Sequence, residues 1–325
     1  MVEILTLAGT NLLSPIILSF ALGLAAAMAR SDLSIPEAVA KGMSIYLLFA
    51  IGFKGGASVA SHGVDATLLM TVGAGILLSF GIPFLAFALL KVLTGFSRLD
   101  AGAVAAHYGS ISIVTFVAAT SVLEGRGIDA EGYMVAVAAA MEAPAILSAL
   151  WLVARNGSAG GMEPGLLREI LLNGSIVLLV GSFLIGMATG EQGLAEIAPF
   201  MVAPFKGVLC LFLLDMGLVA GRGLRQAKGV LGLGAVAFGI TMPLISSIIA
   251  LGMGLAIGLS AGGVALLMVL AASASYIAVP AAMRVALPEA NPAIYLTLSL
   301  GVTFPFNLTL GIPIYVALAT MMVGG

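Results

Sequence analysis

Apolar stretches long enough to cross a lipid bilayer follow one another along almost the whole chain, and no other feature constrains its fold as tightly. A helix needs about 20 mainly apolar residues to cross the hydrocarbon core. Read between charge clusters and Gly/Pro punctuation, the sequence offers ten such spans. They lie near 11–29, 37–53, 66–93, 101–122, 131–154, 170–190, 199–220, 229–258, 262–286 and 293–322. Only 9% of the 325 residues are charged and 61% are hydrophobic, whereas a soluble domain is about a quarter charged. Lipid is therefore the solvent for most of the surface. In lipid the backbone must satisfy its own hydrogen bonds, as helices do. The reading is an all-α polytopic membrane protein. The third, eighth and tenth spans exceed the minimum length, which predicts tilt or breaks.

Composition also narrows the chemistry. A net charge of −2 supplies no basic stripe for nucleic acid. Cys210 stands alone and His62 and His107 are the two histidines, too few for a Cys- or His-based metal centre. No G-x-x-x-x-G-K-[ST] loop, H-E-x-x-H helix or usable carboxylate pair occurs, so the chain reads as neither an enzyme nor a nucleotide-driven pump. The N-terminus lacks the basic start and cleavage pattern of a signal peptide, and the first apolar segment reads as a retained helix.

Basic residues set the expected orientation, since Lys and Arg concentrate in cytoplasmic loops. With ten spans, Arg30, Lys41, Lys91, Arg98, Arg155, Arg168, Arg222, Arg225, Lys228 and Arg284 fall on one side, and Lys54, Arg126 and Lys206 on the other. The first side is cytoplasmic, which puts both termini outside.

Weak internal repetition accompanies this count. Lys41, Gly42, Gly52 and Gly56 recur as Lys206, Gly207, Gly217 and Gly221. Ser110-Ile111-Ser112 recurs as Ser273-Ala274-Ser275, and Tyr133 with Pro144 recurs as Tyr295 with Pro305. Two halves of five spans must insert in opposite senses, the inverted repeat of many secondary transporters. The expected division is residues 1–156, a cytoplasmic linker at 157–168, and residues 169–325.

The most unusual segment runs from Ala106 through Gly109, Ser110, Ile111 and Ser112 to Thr115, in the middle of the fourth span. Its counterpart, around Ser273, Ala274, Ser275 and Pro280, lies in the ninth. Glycine permits unwinding, and proline removes a backbone donor. Two helices broken here would direct free amides, hydroxyls and positive half-helix ends at one point, a site for a small anion. The competing reading is close helix packing, with each serine bonded to its own backbone. Charges within spans mark function. Glu142, just before Pro144, and the repeat-related segment Thr303 to Asn307 supply oxygen ligands suited to sodium; Thr115, Glu142, Thr303 and Asn307 are the candidate set. Asp215 either pairs across helices or lines the path. His107 reads as a packed, hydrogen-bonded residue.

Two longer motifs add a resemblance. Ala106-His107-Tyr108-Gly109-Ser110 continuing to Thr115-Phe116-Val117-Ala118-Ala119-Thr120, and Leu287 to Pro292 followed by Gly301-Val302-Thr303-Phe304-Pro305-Phe306-Asn307, resemble the sodium-dependent bicarbonate transporter family known from cyanobacteria. The resemblance covers essentially the whole chain. It implies sodium-coupled bicarbonate uptake across the bacterial plasma membrane by a homotrimer. It further implies a gate part made of helices 1, 2, 6 and 7 and a core part of helices 3–5 and 8–10. Substrate would lie between Gly109–Ser112 and Ser273–Ser275, with sodium co-transported. The family's PII-like regulatory partner is a further implication, but the segment at 155–168 is shorter than in the cyanobacterial pattern, which argues against that partner. Two other functions stay open: a sodium-coupled carrier of another small anion, and a sodium/proton exchanger using Glu142 or Asp215. No arginine lies mid-span to clamp a bulky organic acid.

Overall fold

A computed structural model describes residues 13–63, 65–142, 144–154, 168, 172, 174–226, 231–276 and 278–324. Every regular element among them is helical. In chain order these are α1 (Pro15–Met28), α2 (Glu37–His62), α3 (Ala66–Leu93), α4 (Arg98–Gly109), α5 (Ile113–Gly125), α6 (Met134–Ala140) and α7 (Pro144–Ala154). They continue with α8 (Gly174–Met201), α9 (Phe205–Gln226), α10 (Leu233–Ile257), α11 (Ala261–Ala272), α12 (Ala278–Ala286) and α13 (Pro292–Val323). The expected linker at 157–168, apart from Arg168, lies outside the described residues.

Among the described residues, eight helical segments are long and apolar enough to cross a membrane: α2, α3, α4 with α5, α6 with α7, α8, α9, α10 and α13. The other two expected spans coincide with shorter apolar helices, α1 and α11. The sixth span runs past its expected end, because α8 kinks at Gly190 (φ 63°) and continues to Met201. The long third and eighth spans are not broken. They carry Pro83 and Pro243 inside otherwise continuous helices. The tenth accommodates its surplus as two π turns, Thr297–Thr303 and Asn307–Gly311.

Two helix pairs pack closely. In the first, α2 lies on α8; in the second, α1 lies on α9. Both use glycine to bring backbones together. A side chain at Gly56 would strike the Phe183 carbonyl of α8, and one at Gly217 would strike the Phe20 carbonyl of α1. Gly52, Gly56, Gly217 and Gly221 are thus contact points between helices, where packing replaces the missing hydrophobic drive, whereas Gly42 and Gly207 face open space.

The broken segments α4–α5 and α11 lie deepest. The apolar window of Arg98–Gly125 is 94% buried within the protein, against 17% for that of Ile176–Met201. Irregular backbone at membrane depth is tolerated only inside protein or along a cavity, and this core position satisfies that condition. Helices α3, α7, α10 and α13 pack around it.

Candidate functional site

The break in the fourth span is built residue by residue. Ser97 caps the start of α4, its hydroxyl accepting the Asp100 amide (3.0 Å). The helix then ends as Ser110 turns extended (φ −87°, ψ 159°). Ser112, also extended, caps α5, its Oγ accepting from the Thr115 amide (3.3 Å) and hydroxyl (3.0 Å). The ninth span repeats this pattern. Ser260 caps α11, accepting the Gly263 amide (3.0 Å), and the helix ends at Ser273 (φ −86°, ψ 163°). The two pairs, Ser97 with Ser260 and Ser110 with Ser273, are both 163 residues apart.

Gly109 acts differently from the expected unwinding point. It is the last residue of α4, and a Cβ there would collide with Pro83 of α3 and Ala145 of α7. Its role is close approach, and the chain leaves the helix at Ser110.

The two broken segments cross in opposite directions. At one end the Asn291 amide, just before α13, donates to Asp100 at the start of α4 (2.8 Å). At the other end the Glu131 carboxylate, in the loop after α5, accepts from the Ser260 amide (2.7 Å) and hydroxyl (2.9 Å) at the start of α11. Between these ends the extended serines bond across the crossing. The Ser112 amide donates to Ser273 Oγ (2.8 Å), and the Ser275 amide donates to the His107 carbonyl (2.7 Å). The Ser110 amide bonds back to Ala106 (3.3 Å) and that of Ser273 to Leu270 (3.4 Å). All four serine amides are therefore engaged within the crossing, where the sequence had suggested free donors.

A small, partly open cleft lies against this crossing, lined by Ile111, Ser112, Ser275, Tyr276 and Glu142 of the core and by residues of α2 and α8 such as Leu48 and Leu179. Of the candidate anion-binding residues, Ile111, Ser112 and Ser275 line the cleft. Ser110, Ser273 and Ala274 are buried behind it, and Ser273 Oγ is further tied to the Leu270 carbonyl (2.9 Å). His107 is fully buried, stacks on Tyr295 (centroids 4.5 Å apart), and bonds through Nδ1 to the Ala103 carbonyl (2.6 Å).

Glu142 reaches the cleft because the fifth span breaks. Pro144 has no amide hydrogen to continue the ladder, α6 stops at Ala140, and α7 begins at Pro144. Ser79 of α3 bridges the gap, its hydroxyl donating to the Met141 carbonyl (2.6 Å) and accepting the Ala145 amide (3.2 Å). This residue escaped the sequence reading; a lone serine inside an apolar span facing a proline break was the available signal.

The four candidate sodium ligands divide into two groups. Glu142 lines the cleft, and Thr115 stands one hydrogen bond away through Ser112. Thr303 and Asn307 bond deeper. The Thr303 hydroxyl donates to the Gly239 carbonyl (2.7 Å) and meets the Tyr108 hydroxyl. Asn307 donates to the Ala272 carbonyl (2.8 Å) and accepts from Tyr315 (2.9 Å). Asp215 is buried on α9 and is not among the cleft's lining residues.

Among the described lining residues, hydroxyl groups stand beside a single carboxylate, with no lysine or arginine. Such a site fits a small oxyanion together with a hard cation. Comparison with curated proteins gives no match. A family model for the Na+-dependent bicarbonate transporter superfamily matches residues 15–320.

Proposed function

This chain belongs to the Na+-dependent bicarbonate transporter superfamily, and we propose that it takes up bicarbonate in symport with sodium across the bacterial plasma membrane. In this reading it has ten spans in two inverted five-helix repeats, with both termini outside, and works by alternating access as a homotrimer. The antiparallel crossing and the matched caps support the inverted repeat. The observation that carries the function is the meeting of Ser112, Ser275 and Glu142 on one cleft.

Coupling follows from charge. A carboxylate in a poorly hydrated cleft repels an incoming anion. Two like charges about 5 Å apart at an effective dielectric constant of about 20 repel by about 3 kcal/mol, roughly a hundredfold in affinity. Sodium at Glu142 reverses that repulsion, so anion and cation bind together. Thr115 supplies a further oxygen near this position. Thr303 and Asn307 act from behind, fixing the Gly239 and Ala272 carbonyls. Linkage requires sodium to raise bicarbonate affinity by the factor that bicarbonate raises sodium affinity.

Labelled bicarbonate uptake into proteoliposomes, with and without an inward sodium gradient, tests the reading. Uptake driven by the gradient is expected. Uptake indifferent to sodium, or sodium/proton exchange without bicarbonate movement, would replace it.

A further inference from the structure

We infer that Tyr276 is a specificity-determining residue of the anion site, its phenol supplying the third hydroxyl donor to a three-oxygen anion. The inference rests on the reading of the cleft as a bicarbonate site and names a contact that this reading does not contain.

Three hydroxyl-bearing residues line the cleft: Ser112, Ser275 and Tyr276. A serine hydroxyl has one hydrogen to give and two lone pairs to accept with. Ser112 Oγ accepts from Thr115 twice, and Ser275 Oγ accepts from the Val279 amide (3.5 Å). Ser275 keeps its hydrogen for an occupant, and the hydrogen of Ser112 has the neighbouring Tyr276 oxygen beside it. The Tyr276 hydroxyl is buried without a hydrogen-bond partner of ordinary geometry, though it sits beside Ser112. A buried hydroxyl lacking a partner costs stability, and a ligand acceptor arriving in the cleft would remove that cost.

The ring is held for the task. It packs edge-on against Phe304 of α13 (5.3 Å between centroids), and Phe304 packs in turn against Phe20 of α1 (5.3 Å). The phenol is therefore aimed by packing while its polar end remains unused. Three donors on one cleft match the three oxygens of bicarbonate, and Glu142 on the same cleft can accept the anion's own O–H. Anions with two oxygens leave one donor unmet.

Tyr276→Phe removes only the oxygen. The bicarbonate concentration for half-maximal uptake is expected to rise about tenfold, while maximal rate and sodium half-saturation at saturating bicarbonate stay within about twofold. Without bicarbonate the thermal midpoint should equal or exceed the parent's, and the upward shift on adding bicarbonate should shrink. An unchanged bicarbonate half-saturation would overturn the inference. So would a lowered midpoint in the absence of bicarbonate or failure to fold, because either makes the hydroxyl a structural partner of Ser112. If the parent itself shows no sodium-stimulated bicarbonate uptake, the functional reading fails instead. If the parent transports and Tyr276→Phe matches it, only the role of Tyr276 fails.

Discussion

The fifth and tenth spans meet the same problem with different outcomes. Each carries a proline ten or eleven residues after a tyrosine, Tyr133 before Pro144 and Tyr295 before Pro305. The fifth span breaks outright at Met141 and Glu142, Ser79 bridges the gap, and a carboxylate is delivered to the cleft. The tenth stays helical through two π turns, and its polar residues Thr303 and Asn307 bond to backbone carbonyls of α10 and α11. A π turn absorbs one extra residue without freeing a whole turn of backbone groups, so no side chain is released. One half holds the charge and the other holds the frame.

The sharpest way to break this contrast is to neutralise the charged half. Glu142→Gln should abolish sodium stimulation and raise sodium-free bicarbonate affinity by about a hundredfold, the scale of the Coulomb repulsion it removes. Binding measured with and without sodium decides the matter. Sodium stimulation that survives intact would move the cation site to Thr303 and Asn307.

Next come the cleft hydroxyls. Ser112→Ala and Ser275→Ala each delete a donor to an anion, an interaction of about 1.5–3 kcal/mol, and should raise bicarbonate half-saturation about tenfold or more. Ser110→Ala, behind the cleft, should change it much less. Equal effects at Ser110 and Ser112 would mean that the cleft has been placed on the wrong side of the crossing.

Smaller still is the difference between the two frames. Ser79→Ala orphans a buried carbonyl and a buried amide at once and should lower stability by about 1–3 kcal/mol. Thr303→Ala leaves the Gly239 carbonyl and the Tyr108 hydroxyl without their partner and should lower it by a similar amount. Thermal midpoints in detergent give the comparison, and a larger loss at Thr303 would show that the tenth span needs bridging more than the fifth.

Local signals in the sequence located eight membrane-length helices and the breaks at Ser110 and Ser273. Glycine, serine and proline inside apolar runs are conspicuous, and each helix end at Ser110 and Ser273 depends on its immediate neighbours. Partners across the fold were not legible. Nothing local marks Asn291 as the donor to Asp100, Glu131 as the acceptor at Ser260, or Ser79 as the bridge at Glu142, because these bonds join residues 62 to 191 positions apart. The amides of Ser112 and Ser275 follow the same rule. Freed by the break of one helix, they bond to the other, which only the crossing reveals. Those of Ser110 and Ser273 bond back within their own helices. Tyr276 was passed over because an aromatic beside a serine pair in an apolar span reads first as packing.

Calorimetric titration of the purified protein with bicarbonate, in sodium and in a sodium-free salt of equal ionic strength, tests the central claim most directly. The account expects sodium to tighten bicarbonate binding by about a hundredfold, with bicarbonate tightening sodium binding by the same factor. Equal bicarbonate affinity in the two salts would contradict a cleft in which sodium offsets the charge of Glu142.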